Sequence, residues 1–315
     1  MFMDPLLTAF IVLAVLAVIV SVTSYICFYL VFYSKPRVPS EDIGIPDSPA
    51  FDPYRELITD WVHEVDALEC RNVSIKTFDG LTLNGRYFEF NKNGPTELML
   101  HGYKGTSRRD LSGGVIRCRE LGHNVLIFDH RGGETSEGNV ITFGINEARD
   151  TRLWIDYILE KINPDAKIIL TGVSMGAATV LMVSVTELPE NVVGVLADCG
   201  FTSAKEIIKK VIRDMKLPAD ILYPFVKLGA KLYGGFDLEE NSPIESMKKS
   251  RLPVIFFHGD SDGFVPKEMS AENFNTCTSE KKRLVYIKGA DHGLAFPADQ
   301  EKYLAEMRDF FSYTR

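Results

Sequence analysis

The chain has 315 residues, enough for one α/β domain of ordinary core size plus an appendage. Aspartate and glutamate number 43 against 35 lysine and arginine, a net charge of −8 without a basic cluster, which argues against a nucleic-acid partner. The five cysteines, Cys27, Cys70, Cys118, Cys199 and Cys277, show neither zinc-site nor disulfide spacing, and no phosphate loop or metal-ligand cluster occurs, so no cofactor or metal is expected.

In chain order, the first segment is the most apolar. Leu6 to Tyr33 carries no charged side chain. At about 1.5 Å per residue, a helix of that length exceeds the roughly 30 Å of a bilayer core. Tyr25, Phe28, Tyr29, Phe32 and Tyr33 crowd the end where an interfacial aromatic belt would sit. Residues 1–34 are therefore expected to form an uncleaved, single-pass anchor in the cell membrane. A cleaved signal peptide is the competing reading, and it fits less well because Met1–Pro5 has no Lys or Arg. Asp4 precedes the segment, and Lys35 and Arg37 follow it. The positive-inside rule then puts the rest of the chain in the cytoplasm. The bias is thin, and export stays open.

Residues 35–70 follow. Pro36, Pro39, Pro46, Pro49 and Pro53 predict a stiff, extended linker that holds the remaining domain off the bilayer. A helix then starts, with Asp52 suited to the N-cap and Pro53 to the first turn. Tyr54, Leu57, Ile58, Trp61, Val62, Val65 and Leu68 share one face at helical spacing. The opposite face is acidic, and an anionic membrane would repel it, so the helix is expected to pack on the domain.

Residues 71–315 alternate between strand and helix patterns. Val73–Phe78 and Leu81–Phe90, joined by Asp79-Gly80, predict a hairpin. Strands are expected at Glu97–Leu100, Asn124–Phe128, Lys167–Gly172, Val192–Ala197, Pro253–His258 and Arg283–Ile287. Helical patterns fall between them, around Leu111–Leu121, Ile145–Lys161, Met175–Thr186, Lys267–Asn275 and Gln300–Phe311. The fold class is α/β, a mostly parallel sheet with helices on both faces. An insertion between Asp198 and Arg251 carries two more helical stripes and interrupts the alternation.

The chemistry-bearing stretch is Gly172-Val173-Ser174-Met175-Gly176, between the apolar run Ile168–Leu170 and a helical run. A serine at such a strand-to-helix turn sits on a sharp elbow, flanked by glycines because a Cβ would strike the crossing backbone. Serine needs a base, and the base needs an orienting acid. Of six histidines, His292 is late, on a Gly-flanked loop after a strand pattern. Asp260 and Asp262 both lie in the loop after Pro253–His258, and either could be the acid. The order serine, aspartate, histidine is the one found with such elbows.

These motifs resemble the α/β-hydrolase-fold serine hydrolases over about residues 71–315. The resemblance is closest to the bacterial membrane-anchored branch with a small helical lid, within the esterase and serine-aminopeptidase superfamily. His258-Gly259-x-x-Asp262-x-x-Val265-Pro266 is similar to the family's acid loop, which implies Asp262 as the acid of a Ser174–His292–Asp262 triad. His101-Gly102-Tyr103 resembles the oxyanion loop, implying backbone donors at Tyr103 and Met175. Phe128-Asp129-His130-Arg131-Gly132 matches the next motif, but Gly133-Glu134-Thr135-Ser136 departs from the usual Gly-x-Gly-x-Ser. The resemblance places a lid, about 201–250, over the site, where Phe201, Tyr223 and Phe264 would face the substrate.

Structural roles are expected for the other titratable groups: packing for His258, backbone support for His101, packing or surface for His63, His123 and His130, and loop pairing for Asp129 and Arg131. The activity implied is hydrolysis of an ester or thioester of a small acyl substrate. Ester is preferred to amide because no acidic pair stands out that would hold a substrate amine. A dehalogenase is disfavoured because its nucleophile is a carboxylate. The alternatives are an amidase or aminopeptidase on the same triad, and a catalytically silent binding protein of the same fold. The oligomeric state is not readable.

Overall fold

A computed structural model describes residues 4–35 and 42–314. Pro36, Arg37 and Pro39 of the expected linker lie outside the described residues. The chain-order elements are α1 (Pro5–Val31), α2 (Arg55–Ala67), β1 (Arg71–Lys76), β2 (Thr82–Phe88), β3 (Thr96–Leu100), α3 (Ser107–Leu121) and β4 (Asn124–Phe128). They continue with α4 (Ile145–Tyr157), β5 (Ile168–Val173), α5 (Met175–Val183), β6 (Val192–Asp198), α6 (Ala204–Asp214) and α7 (Ala219–Tyr233). The last are α8 (Pro243–Met247), β7 (Val254–Gly259), α9 (Lys267–Thr276), β8 (Lys282–Ile287), α10 (Ala295–Ala298) and α11 (Gln300–Phe310).

The strands form one eight-stranded sheet in the order β1-β2-β4-β3-β5-β6-β7-β8. β1 and β2 are antiparallel, β2 meets β4 antiparallel, and every later pairing is parallel. The apolar runs explain this, because β3 and β4 are buried at every position and a strand covered on both faces cannot alternate. One apolar core lies between the sheet and α2, α3 and α11, around Met99, Phe257 and Tyr303. The other lies between the sheet and α4 and α5, around Phe128, Trp154 and Leu181. From β3 the chain steps outward to β4 and then returns to β5 on the other side. This reversal opens a crevice at the C-terminal ends of β3 and β5, the usual ligand position in such sheets.

α2 packs on α3 and the sheet core, as its apolar stripe predicts. Trp61 stacks on Phe296 with ring centroids 5.3 Å apart. Its start differs from the expectation. Asp52–Tyr54 forms a short 3-10 turn, and α2 begins at Arg55 with no side-chain cap. Asp52 instead accepts a hydrogen bond from the Arg55 guanidinium, because the tighter turn carries it past the capping position.

The larger correction concerns α1. The expected linker would let the domain stand away from this helix, yet its last turns are part of the domain. Leu6 to Val22 are exposed, while Ser24, Phe28 and Phe32 are buried against α7 and its neighbours. A Cβ on Gly229 of α7 would sit 2.4 Å from the Ser24 carbonyl oxygen, so only glycine permits this approach. The Ser21 and Tyr233 hydroxyls are 2.7 Å apart. Phe32 meets Phe143 and Phe236 edge-on. Beyond the helix, Ser34 N–H donates to Asn139 O and the Ser34 hydroxyl to Gly132 O. α6, α7 and the end of α1 thus share a third core, with Ile207, Ile208, Tyr223 and Val226. α8 packs on α5 and α9 and belongs to the layer covering the sheet.

Trp61→Ala is expected to lower the unfolding free energy by about 3–5 kcal/mol, the range for deleting a buried large aromatic. Denaturant unfolding of the full chain in detergent, followed by circular dichroism, checks this. An unchanged midpoint would show that α2 does not brace the core.

Candidate active site

β5 ends at Val173 and α5 starts at Met175, leaving Ser174 alone to turn the chain. Its backbone is left-handed, φ 56° and ψ −115°, a strained state for a side-chain-bearing residue. The neighbours enforce it. A Cβ on Gly172 would lie 2.2 Å from the Gly176 backbone, and one on Gly176 would lie 2.1 Å from Leu100 O. Ser174 N–H donates to Asp198 O at 2.8 Å, which pins the elbow to the end of β6. Gly102, after β3, lies directly beside the Ser174 Cβ.

His292 is carried by the loop after β8. Its Nε2 is 2.9 Å from Ser174 Oγ and its Nδ1 is 2.7 Å from Asp262 Oδ2. Nδ1 faces a carboxylate and must carry the proton, which leaves Nε2 free to accept from the hydroxyl. Asp262 is enclosed by donors. Its Oδ1 accepts from Phe264 N–H at 2.9 Å and Val265 N–H at 2.8 Å. Its Oδ2 also lies 3.1 Å from His258 Nε2. Burial opposes the charge, but hydrogen bonds from His258 and His292 and the charge of those rings hold the Asp262 carboxyl well below the usual range. Asp260, the rival acid, is turned elsewhere. Its Oδ1 accepts from Gly289 N–H and the Ser261 hydroxyl, closing an exposed turn.

His258 is therefore packed and hydrogen-bonded, and it also touches the acid. Nε2 lies between Asp262 and Val265 O at 3.0 Å, so it carries the proton, while Nδ1 meets the Ser270 hydroxyl at 2.7 Å. His101 supports backbone. Its Nε2 accepts from His130 N–H, so its Nδ1 is the donor to Gly102 O at 2.8 Å. Asp129 accepts from Ser107 N–H and from Thr135, and Arg131 grips Asp150 and Asp79. The departure at Gly133–Ser136 is accommodated here, with the Thr135 and Ser136 hydroxyls both bonded to Asp129.

Of the two expected oxyanion donors, Met175 follows Ser174 in the chain, and Tyr103 follows Gly102, which lies beside the Ser174 Cβ. Met175 opens α5, so its N–H has no acceptor within the helix. The Tyr103 side chain is clamped, with the hydroxyl donating to Val31 O at the end of α1 at 2.7 Å. Lys104, also left-handed at φ 50°, reaches Leu30 O at 3.3 Å. The end of α1 thereby holds the loop that follows β3.

A cavity of about 560 Å³ opens beside Ser174 and His292. Its wall is mainly apolar and includes Ile45, Phe51, Ile58, Trp61, Met99 and Phe296, with Tyr103 and Phe264 near the serine. Phe264 stands edge-on to His292 with centroids 5.0 Å apart. Two expected wall residues are absent from it. Phe201 and Tyr223 are buried within the α6–α7 core, and the Tyr223 hydroxyl donates to Glu239. The lid stripe is consumed by packing on α1, a partner that sequence spacing cannot reveal. In its place the segment before α2 and α2 itself form the wall.

Arg117, Thr171, Asp198 and Tyr303 of the cavity wall are joined to buried polar groups. Glu97, fully buried, accepts from Arg117, His123 and Thr171. Burial opposes its charge, yet these partners keep it at about 2. Burial raises the Asp198 carboxyl, and it accepts from the Tyr303 hydroxyl at 2.9 Å. Cys199, Asp262 and His292 lie close enough to share a metal ion. The set suits one poorly, because burial keeps the Cys199 thiol protonated and Asp262 has its acceptor sites filled.

A family model described as the alpha/beta hydrolase fold matches residues 98–239. YqkD, an uncharacterised protein of Bacillus subtilis, is 29% identical over 192 residues, covering 61% of this chain and 63% of its own length. The chain thus matches under two thirds of that relative. YfhR of Escherichia coli K12 is 25% identical over 294 residues, covering 90% and 89%. A solved esterase of Pyrococcus furiosus, Pf2001, superposes with a TM-score of 0.67 at 22% identity, covering 90% of this chain and 98% of that one. The chain has the α/β-hydrolase fold, with its mostly parallel sheet and covering helices.

Asp262→Asn is expected to destabilise the protein at neutral pH. The folded carboxyl sits below its unfolded value near 3.9, so its contribution is fully present above that pH and fades as pH falls toward the depressed folded value. Unfolding midpoints of wild type and variant across acid pH should therefore stay apart down to about pH 4 and converge below it. A gap that closes already near neutrality would contradict the ionised, enclosed carboxylate.

Proposed function

We propose that this α/β hydrolase is a membrane-anchored serine hydrolase that cleaves carboxylic esters or thioesters. The observation that carries the reading is the unbroken hydrogen-bonded line Ser174–His292–Asp262 beside an apolar cavity. Ser174 Oγ attacks the acyl carbon while His292 Nε2 takes its proton. Asp262 holds the imidazole with its proton on Nδ1 and stabilises the imidazolium that forms. The N–H groups of Tyr103 and Met175 receive the negative oxygen of the tetrahedral intermediate. His292 then returns the proton to the leaving alcohol or thiol, and the acyl-enzyme is released by water through the same steps in reverse.

The acyl group is read as apolar from the cavity wall, and Phe264 as its contact beside the histidine. The esterase Pf2001 shares the fold and adds weight to ester over amide. The membrane reading rests on α1, whose 27 residues carry no charge and are long enough to cross a bilayer. Lys35 and Arg37 after it favour a cytoplasmic domain.

A fluorophosphonate probe should label wild type and fail on Ser174→Ala, and the same variant should lose turnover of a chromogenic short-chain ester. Retained labelling or turnover would refute the mechanism. Faster cleavage of the matched amide than of the ester would move the substrate class to amides.

Tyr103→Pro removes one proposed backbone donor and should cost on the order of 10²–10³ in kcat. Tyr103→Phe keeps the N–H and loses only the bond to Val31, so its loss should be much smaller. Equal losses in the two variants would show that the clamp to α1, rather than the N–H, is what turnover needs.

A further inference from the structure

α1 and α7 are joined closely enough to set the height of the lid relative to a bilayer. Ser21 meets Tyr233, and Ser24 and Phe28 meet Gly229, so the two helices run antiparallel with the end of α7 pointing back along the apolar span. The Asp4 carboxylate, which accepts from Leu6 N–H, must stay out of hydrocarbon, so the apolar core of a bilayer can begin no earlier than Leu6. Crossing about 30 Å at 1.5 Å per residue takes about 20 residues, which puts the far boundary at Tyr25 or beyond. Any tilt requires more residues and moves that boundary further toward the domain. Ser21 lies one turn inside it. Tyr233, bonded to Ser21, is carried to the same depth.

The end of α7 suits that position. Leu232 is 56% exposed and Tyr233 36% exposed, which in water would be an unpaid apolar tip. Tyr25 packs edge-on against Tyr233 with centroids 5.2 Å apart, which forms an aromatic cluster with polar hydroxyls at the boundary. Lys231, also exposed, can lay its stem along the apolar tip and send its ammonium to the headgroups.

We infer that the tip of α7, Lys231-Leu232-Tyr233, is a second membrane contact seated in the lipid interface. The inference rests on α1 spanning the bilayer, as proposed above. Its partner is the bilayer surface itself. The consequence is mechanical. α1 also holds Tyr103 through Val31 O, so lid, oxyanion loop and membrane form one unit.

The test uses the full chain in phosphatidylcholine nanodiscs, with an environment-sensitive fluorescent amino acid placed singly at Leu13, Ile221 or Leu232. Ile221 is 65% exposed at the opposite end of α7. It lies about 18 Å from the tip along the helix axis. Lipid carrying a nitroxide near its headgroup should quench most of the emission at position 232 and spare position 221. Aqueous iodide should do the reverse. Lipid carrying its nitroxide deep in the acyl chain should quench position 13. Iodide quenching of 232 as strong as that of 221, with 13 still quenched from within the lipid, overturns the seated lid and leaves the span intact. Loss of lipid quenching at 13 overturns the span and the inference together.

Discussion

The site depends on a backbone approach that side chains would forbid. β3, β5 and α5 come together at Gly172 and Gly176, where a Cβ would fall about 2 Å from carbonyl or backbone atoms of the neighbouring segment. That packing leaves Ser174 no room for a relaxed turn and holds it in the left-handed region. The hydroxyl is thereby lifted to the crevice where the strand order reverses, between the loop after β3 and the loops after β7 and β8. The strain is held in place by the sheet, because releasing the elbow would separate three buried strands and a buried helix.

Around this point the electrostatics follow from enclosure. Asp262 is a buried carboxylate, and burial alone would favour its neutral form. Two backbone N–H groups and two imidazoles reverse that preference by filling its acceptor sites. A carboxylate satisfied in this way is fixed in position as well as in charge, and it fixes the His292 tautomer in turn. His258, which reads as a core histidine, is one of the groups that make this possible. Its proximity to Asp262 comes from the sharp loop after β7, which folds the acid back over the end of its own strand.

The N-terminal helix changes the meaning of the lid. α6 and α7 bury their apolar stripes mostly against each other and against α1, and this removes Phe201 and Tyr223 from the cavity. The cavity wall comes instead from residues 45–51 and from α2, so the region read as a spacer encloses the cavity. The carbonyls at the end of α1 are met by the Tyr103 hydroxyl and the Lys104 ammonium, which links the helix terminus to the loop after β3.

Much of this was legible in the chain. Every strand was placed to within a residue or two: the central ones because strands buried on both faces leave a continuous apolar signature, and the opening pair because Asp79-Gly80 marks its turn. Gly172-x-Ser174-x-Gly176, the loop acid and the late histidine were readable because their chemistry demands those residue types in that order. What the sequence could not contain was contact across large separations. Asp260 and Asp262 are equivalent as letters, and only the path of the loop turns one toward His292. The α7 stripe looks the same whether it faces a substrate or another helix, and only docking of α1 at Gly229 decides it. Local periodicity determines which faces are apolar; the partner of each face is set by the packing of distant segments, which the tertiary structure alone decides.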